Sequence, residues 1–125
     1  MSIIGIDHIL LAMPRGGEEQ ARAFYTGVLL LHEDVKPAAL AARGGAWFSN
    51  GTVVVHLGVE NDFRPARKAH PAFVVRDLDG FIARARSQGC DIAEDAPLPG
   101  CSRIFIYDPF GNRLELIEPK AVDSK

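Results

Sequence analysis

Four side chains of this sequence are of types that bind transition metals, and they lie at related positions. They are His8, His56, His70 and Glu115. His8 and His70 are 62 residues apart and His56 and Glu115 are 59 apart, as in a chain that repeats itself. Three imidazoles and one carboxylate suit Zn²⁺, Ni²⁺, Fe²⁺ or Co²⁺ better than Mg²⁺ or Ca²⁺, which prefer oxygen ligands. The sequence therefore predicts one divalent metal per site, held by these four residues.

Such a metal would keep open positions for a substrate with two adjacent oxygens. Acting as a Lewis acid, it would stabilise negative charge that develops on the substrate. Glu115 and His56 are the candidate catalytic residues for moving a proton, and an imidazole such as that of His56 titrates near neutral pH. With Fe²⁺, oxygen activation by His8, His70 and Glu115 is the alternative. These residues alone leave both reactions open.

Strand periodicity explains how the four side chains could share one side of a sheet. Successive side chains on a strand point to opposite faces. His8, His56, His70 and Glu115 each have strongly apolar neighbours in sequence, which would form the opposite face. We expect that apolar face to pack under helices. The metal-binding residues would then point into the concave side of the sheet.

Each half of the chain has the pattern of a strand, a helix, a short strand and a hairpin. Asn50-Gly51 predicts a two-residue hairpin turn, and Asp77 and Gly89 predict the caps of the second helix. The elements predicted for the first half are strands over residues 3–13, 32–36, 46–49 and 52–59, with a helix from 18 to about 29. Those predicted for the second half are strands over 70–75, 91–93, 102–108 and 113–118, with a helix ending at Gln88.

This order predicts an α+β fold of two βαβββ modules. The modules would form a curved mixed sheet with the helices on its outer face. The 125 residues are expected to make a single domain, with one repeat over about 3–59, a linker over 60–69 and a second repeat over about 70–118. Residues 121–125 are expected to form a frayed tail.

The substrate pocket is expected in the concavity of the sheet, near the metal. The candidates for binding substrate are Trp47, Phe63, Arg67 and Phe110, with Tyr107 as a further candidate for the pocket wall. Core packing is the alternative role for the aromatic residues. Arg67 belongs to a basic run with Arg64 and Lys68 that could attract an anionic substrate or merely form a solvated loop. Arg103 and Arg113 are weaker candidates of the same kind.

Composition excludes several classes of partner. The chain has 14 Lys and Arg against 16 Asp and Glu, a formal net charge of −2, which gives no reason to expect nucleic acid or an anionic membrane. The pattern shows no signal peptide and no transmembrane helix, so a cytoplasmic location is expected. Cys90 and Cys101 are then expected to be reduced, buried thiols rather than a disulfide.

The sequence resembles the vicinal-oxygen-chelate superfamily of glyoxalases, extradiol dioxygenases, fosfomycin-resistance enzymes and bleomycin-resistance proteins. The resemblance covers nearly the whole chain. It is carried by the segments at residues 6–9, 23–25, 70–72 and, most specifically, 108–115. By this resemblance His8, His70 and Glu115 are metal ligands. The resemblance also implies a homodimer that can share sites between subunits. The implied activity is that of a lyase or isomerase of lactoylglutathione-lyase type, or of a dioxygenase. A thiol transferase is a further variant.

The chain departs from the family pattern at two positions. His56 stands where glyoxalases carry Glu or Gln, so its role as ligand, base or outer neighbour of the metal stays open. Leu30 stands where a Gly commonly follows the first helix, and a Leu turning through positive φ there would cost about 1 kcal/mol. Two other functions compete with a metal enzyme. One is a metal-free module of bleomycin-resistance type that sequesters a ligand, and the other is a structural protein without a small-molecule site.

Overall fold

A computed structural model describes residues 1–120, which form two compact units that divide between Pro65 and Ala66. The division falls inside the predicted linker. The first unit is a four-stranded mixed sheet in the order β1-β4-β3-β2, in which β1 and β4 are parallel and the other pairs antiparallel. Its elements are β1 (Ile9–Met13), α1 (Glu18–Tyr25), β2 (His32–Asp34), α2 (Ala38–Ala41), β3 (Ala46–Ser49) and β4 (Val54–Val59).

The second unit repeats this topology. Its sheet has the order β5-β8-β7-β6, with β5 and β8 parallel and the other pairs antiparallel. Its elements are β5 (Ala72–Val74), α3 (Leu78–Ser87), β6 (Ile92–Ala93), β7 (Cys101–Tyr107) and β8 (Arg113–Pro119). The α+β class and the repeated βαβββ module are therefore confirmed, in the form of two four-stranded mixed sheets. The prediction of a single domain stays a prediction.

Alternation along the strands determines where the core of the first unit lies. Leu11 and Met13 of β1 are buried, as are Val55 and Leu57 of β4, whereas Leu10 between them is exposed. Helix α1 packs against β3. Five residues of the helix and of the segment just after it are buried in this core, at the spacing that the sequence predicts. They are Ala21, Phe24, Tyr25, Val28 and Leu29. The apolar face predicted opposite His56 thus lies under a helix.

The first strand is shorter than predicted. It begins at Ile9 rather than residue 3, because its partner β4 begins at Val54 and pairs Ile9 with Val55. His8 therefore lies just before the strand. The predicted two-residue turn is also wrong, because residues 50–53 form a four-residue loop between Ser49 and its partner Val54. The Asn50 side chain holds this loop by accepting hydrogen bonds from the backbone N–H groups of Thr52 and Val53.

Helix α1 ends at Tyr25, four residues earlier than predicted. The backbone N–H of Leu29 donates to Phe24 O and that of Leu31 to Tyr25 O, which closes the helix with a wide turn. Leu30 lies inside this turn at φ 62°, as the comparison with the family's glycine anticipated. Helix α2 was not predicted; it is one turn long and contains no buried residue.

Helix α3 has the predicted caps. The Asp77 carboxylate accepts a hydrogen bond from the backbone N–H of Gly80, and Gly89 beyond the helix has φ 74°. The helix packs on β6 and β8 and buries Leu78 and Ala85. Strand β5 is shorter than predicted and leaves His70 two residues before it.

The turn between β7 and β8 is organised by one buried carboxylate. Asp108 Oδ1 accepts hydrogen bonds from the backbone N–H groups of Phe110 and Asn112, both at 2.9 Å, and Oδ2 accepts one from Asn112 Nδ2 at 2.9 Å. Asn112 Oδ1 in turn accepts from the N–H of Ala66 at 3.0 Å. Gly111 supplies the left-handed residue, at φ 90°. The segment with the strongest family resemblance therefore fixes the start of the strand that carries Glu115.

Other features concern the remaining predictions. Among residues 1–120 no helix is long and apolar enough to cross a membrane. Cys90 and Cys101 are free thiols, and both are half-buried rather than buried. The predicted tail, residues 121–125, lies outside the described residues.

Candidate metal centre

His56 lies in the middle of a stack of three rings in the first unit. The pairing of β3 with β4 places Trp47 directly opposite His56. Their ring centroids are 4.0 Å apart with an interplanar angle of 4°, and the His8 ring stacks on His56 at 4.2 Å and 23°. The predicted neighbours His8, His56 and Trp47 are thus brought together.

The stack restricts what His56 can do. The lone pairs of imidazole nitrogens lie in the ring plane, so nearly parallel rings direct them side by side rather than at a common ion. Burial, and then the nearby His8, lower the pKa of His56. The ring is therefore neutral at neutral pH and able to accept a proton. In this orientation it fits the role of a base or ring wall better than that of a ligand beside His8.

His8 is oriented by its neighbour in sequence. Its Nδ1 lies 2.9 Å from Asp7 Oδ2, and its side chain is 39% exposed. A carboxylate on one ring nitrogen fixes the tautomer and presents the other nitrogen, here Nε2, to a metal. His8 therefore has the second-partner arrangement that metal-binding histidines commonly show.

The second unit brings His70 and Glu115 together. Strand β8 carries Glu115, whose backbone N–H donates to Pro71 O at 3.0 Å, and this bond aligns the start of β5 with β8. His70 Nε2 lies 2.9 Å from Glu115 Oε1, and His70 Nδ1 lies 2.8 Å from Lys68 O. Glu115 is 6% exposed, and Asp108 is the other buried acid within residues 1–120.

Both ring nitrogens of His70 therefore face acceptors. A carbonyl oxygen only accepts, so the Nδ1 proton is directed at Lys68 O, as hydrogen-bond geometry requires. A second proton must then lie between Nε2 and the Glu115 carboxylate for that contact to be a hydrogen bond. The contact between Nε2 and Oε1 is thus a hydrogen bond between two groups that both also occur as metal ligands.

Arg103 holds the other oxygen of Glu115. Its Nη1 lies 3.3 Å from Glu115 Oε2, and its Nη2 donates to Ala96 O at 3.0 Å and lies 3.6 Å from Asp95 Oδ2. Sequence reasoning missed this pairing and named Arg103 only as a site for an anionic substrate. The alternation of side chains along the strands could have revealed this contact. Phe105 of β7 pairs with Glu115, and Arg103, two residues from Phe105, lies on the same face.

The remaining predicted residues lie in different settings. Arg67 lies with its guanidinium carbon 5.5 Å from the centroid of the Tyr107 ring. Phe110 is half-buried in the turn held by Asp108, and Phe63 is half-exposed in the segment before Pro65. Throughout residues 1–120 no group of three or more His, Cys, Asp or Glu side chains is arranged to hold a metal ion. The structure thus contains two pairs, His8 with His56 and His70 with Glu115.

The four predicted ligands differ in how well their positions suit binding to a divalent metal. Two ligand atoms bound at right angles at about 2.1 Å from a metal are roughly 3 Å apart, and His70 Nε2 and Glu115 Oε1 already have this separation. His8 fits through Nε2, with Asp7 behind it. His56 fits only if its ring leaves the stack. His8, His70 and Glu115 are thus each of a type that binds a divalent metal, but within residues 1–120 no three such side chains come together to hold one.

Comparisons with known proteins agree with this architecture. The family model described as the Glyoxalase/Bleomycin resistance protein/Dioxygenase superfamily matches residues 5–116. A crystal structure from Bacillus anthracis, described as of a glyoxalase family protein, is 45% identical, with a TM-score of 0.90 and coverage of 96% of this chain and 98% of that one. No curated protein matches.

More distant solved structures share the fold. The fosfomycin resistance protein FosX from Listeria monocytogenes, described in complex with Mn(II) and sulfate, is 17% identical with a TM-score of 0.76, over 95% of this chain and 93% of that one. TnmS3, an antibiotic binding protein from Streptomyces sp. CB03234, is 19% identical with a TM-score of 0.70, over 94% and 100%. With the family model matching most of its length, the chain belongs to the glyoxalase/bleomycin resistance protein/dioxygenase superfamily.

Proposed function

We propose that this protein is a metal-dependent enzyme of the superfamily that acts on a small substrate binding the metal through adjacent oxygens. The reaction is that of a lyase or isomerase, with dioxygenase or thiol transferase chemistry as the variants. One divalent ion, Zn, Ni, Fe or Co, serves each site. His8, His70 and Glu115 are its ligands, and His56 is either a fourth ligand or the neighbouring base.

The observation that carries this proposal is the pair of His70 and Glu115. The ring has acceptors at both nitrogens, and its contact with Glu115 has the spacing of two ligands on one ion. A buried carboxylate and imidazole are costly unless a cation or proton lies between them. A divalent ion held by His70 and Glu115 would replace that proton and would supply Lewis acidity to a bound substrate.

The residues divide the work of catalysis. When bound, the metal supplies Lewis acidity that stabilises negative charge on substrate oxygens. His56, whose pKa is lowered by burial, accepts a proton from the substrate as general base. Arg103 keeps Glu115 in place through its second oxygen. The Glu115 carboxylate is the alternative proton acceptor.

We further propose that the active form is a homodimer in which sites are shared between subunits. The two pairs belong to different units of the chain. The segment before β1 exposes a run of isoleucines, of which Ile4 is 96% and Ile6 83% exposed, and β1 is the outer strand of its sheet. Exposed apolar residues at an unpaired strand edge favour association with another chain. A shared site would combine His8 and His56 of one chain with His70 and Glu115 of the other.

Distant relatives supply independent support for the metal. FosX shares the fold and is described in complex with Mn(II). At 17% identity it does not identify the ion or the substrate of this chain. A small-molecule substrate, a cytoplasmic location and the absence of nucleic-acid partners are part of the same proposal.

Metal content is the direct test. Protein purified without a His-tag and analysed by elemental mass spectrometry is expected to contain about one Zn, Ni, Fe or Co ion per site, or to take one up after treatment with EDTA. Glu115→Gln and His70→Asn should weaken metal affinity at least tenfold, because each removes one ligand of a small set. Isothermal titration calorimetry with the metal found in the native protein measures the change.

His32→Asn is the matched control. His32 is an exposed histidine of β2 with no assigned role, so its loss should leave the affinity unchanged. Metal-free protein that binds no added ion would refute the proposal. Unchanged affinity in Glu115→Gln would remove Glu115 from the ligand set.

The competing function is a metal-free module that sequesters a ligand. The parallel stack of Trp47 on His56 favours it, because a flat ring surface also suits a planar aromatic ligand. TnmS3, with the same fold, is described as an antibiotic binding protein. Trp47 is the single tryptophan of the chain, so its fluorescence reports directly on binding. Quenching by bleomycin in EDTA, at equal strength in wild type and Glu115→Gln, would support sequestration instead of metal catalysis.

A further inference from the structure

Arg113 is a half-buried cation without a negative partner. It follows the Asp108 turn at the first position of β8, and pairing with β7 places it opposite Tyr107. Its guanidinium carbon lies 4.6 Å from the centroid of the Phe105 ring and 5.9 Å from that of Tyr107. Within residues 1–120 its guanidinium makes one hydrogen bond, from Nη2 to the Tyr107 hydroxyl at 3.3 Å.

The positive charge of Arg113 is therefore uncompensated. No carboxylate of the described chain pairs with it, and its Nε is buried without a hydrogen-bond partner. A guanidinium carries five N–H donors, and removing them from water without acceptors costs free energy. The Nε of Arg103 on the same sheet face is also buried without a partner, but Glu115 and Asp95 offset the charge of Arg103. Of these two arginines on the β7–β8 face, Arg113 is the one whose partly buried charge has no carboxylate partner.

A second arginine, Arg67, and the hydroxyl of Tyr107 lie near Arg113. Arg67 lies over the same Tyr107 ring, at 5.5 Å from its centroid, and it too has no carboxylate partner among the described residues. Arg113, Tyr107 and Glu115 share one face of the β7–β8 pair, so this group neighbours the His70 and Glu115 pair. Two guanidiniums therefore lie within about 6 Å of the Tyr107 ring, and guanidinium groups are the side chains that bind small oxyanions best.

We propose that Arg113, assisted by Arg67 and the Tyr107 hydroxyl, binds the oxyanion group of a small-molecule substrate, a carboxylate, phosphate or phosphonate. As a statement about substrate this rests on the proposed function, whereas binding of the anion itself requires no metal. A planar guanidinium holds such a group through two parallel hydrogen bonds and places the rest of the ligand along the sheet face toward Glu115.

Anion binding to metal-free protein in EDTA is the test. Methylphosphonate, inorganic phosphate and acetate, each against sodium chloride at equal ionic strength, are titrated while the arginine Nε–Hε resonances are followed by NMR. The Arg113 Nε–Hε resonance is expected to shift with a saturating dose response, and the anion that binds best should raise the Tm. The three anions distinguish a phosphorus oxyanion from a carboxylate as the preferred group.

Arg113→Gln should weaken this binding at least tenfold, and Arg113→Lys, which keeps the charge but not the two-bond geometry, should retain part of it. Arg84→Gln is the matched control, because Arg84 is also half-buried with its guanidinium 4.6 Å from a phenyl centroid, that of Phe81 on α3. A wild-type protein whose Arg113 resonance moves no more with these anions than with chloride would overturn the proposal. Equal affinities in Arg113→Gln and wild type would do the same. Either result would leave the proposal of a metal site unaffected. A failure of metal uptake would likewise leave the proposal of an anion site unaffected.

Discussion

Leu30 occupies a backbone conformation that its side chain disfavours. At φ 62° the Cβ of an L-residue crowds the backbone, at a cost of about 1–2 kcal/mol. The side chain is 54% exposed, so packing does little to offset this cost. The left-handed residue is nevertheless required, because it lets the N–H of Leu31 close helix α1 on Tyr25 O.

Leu30→Gly is therefore expected to stabilise the protein by about 0.5–1 kcal/mol, since part of the relieved strain is lost to the greater freedom of glycine in the unfolded chain. Leu30→Asn, which tolerates the left-handed region, should act in the same direction. Urea unfolding at pH 7 measures both. Leu98→Gly is the control, because Leu98 is an exposed leucine outside the positive-φ region. Equal changes at the two positions would contradict a backbone origin.

Residue types and periodicity indicated which side chains of the candidate site share a face, whereas their role as metal ligands stays a prediction. His56 was placed opposite a buried apolar face, and β4 has that alternation. His70 and Glu115 were assigned to one set, and they are in hydrogen-bond contact. The stacking of His56 on Trp47 and the Arg103 contact with Glu115 were not predicted. Both depend on the pairing register and on side-chain rotamers, which a single sequence does not encode in its local pattern.

At the scale of elements, the turn before β8 is held by Asp108. Its carboxylate accepts three hydrogen bonds at 2.9 Å and is 4% exposed. Asp108→Ala removes these acceptors and leaves buried N–H donors unsatisfied, so a loss of about 2–4 kcal/mol is expected in chemical unfolding. Asp91→Ala, at an exposed aspartate before β6, is the control and should stay within about 0.5 kcal/mol of wild type. If Asp108→Ala lowered the free energy of unfolding no more than Asp91→Ala does, water would be replacing the carboxylate as hydrogen-bond acceptor.

Helix α1 and strand β2 are joined by the pair Arg22 and Glu33. Arg22 Nη2 donates to Glu33 Oε2 at 3.0 Å, and this hydrogen bond and the charge of Arg22 lower the pKa of Glu33. A carboxyl group with a lowered folded pKa stabilises the protein above its unfolded value, here 4.5, and the stabilisation is lost as the pH falls through the folded value. The pair is partly exposed, so about 0.5 kcal/mol is expected.

Glu33→Gln should therefore lower stability at pH 7, and the effect should shrink as the pH falls through the lowered pKa of Glu33. Urea midpoints of both proteins between pH 7 and pH 2.5 measure the difference. Curves that remain parallel over the whole range would show that the ion pair contributes nothing to folding.

Element existence was predicted better than element boundaries. All eight strands and the two longer helices were expected, because apolar spacing of period 2 or 3.6 marks them. Strand β1 is shorter than its apolar run because it extends little further than its pairing with β4, whereas β5 is short although its partner β8 continues at both ends. The loop at Asn50 has four residues because the Asn side chain itself closes it. Helix α2 buries nothing and so leaves no periodic signal.

At the scale of the whole molecule, the repeat is what made the fold class predictable. Two units with the same strand order and the same parallel outer pair follow from one sequence pattern used twice. The assembly was less accessible, because a partner chain leaves no periodic signal. What the structure adds is the exposure of the apolar segment before β1, where Ile3 and Ile4 are each 96% exposed.

If this segment packs against a second copy, Ile4→Lys should break the dimer and weaken metal binding together. Burying a residue of this size contributes about 1.5–3 kcal/mol, and a buried lysine opposes it. Val35→Lys is the matched control, because Val35 is 95% exposed in the same unit but lies beyond β2, at the opposite side of the sheet order from β1. Sedimentation velocity gives the mass, and calorimetry gives metal affinity at protein concentrations above and below dissociation. A shared site requires affinity to fall wherever the dimer dissociates, in wild type by dilution and in Ile4→Lys at all concentrations. A monomer that keeps full metal affinity would instead assign all ligands to one chain.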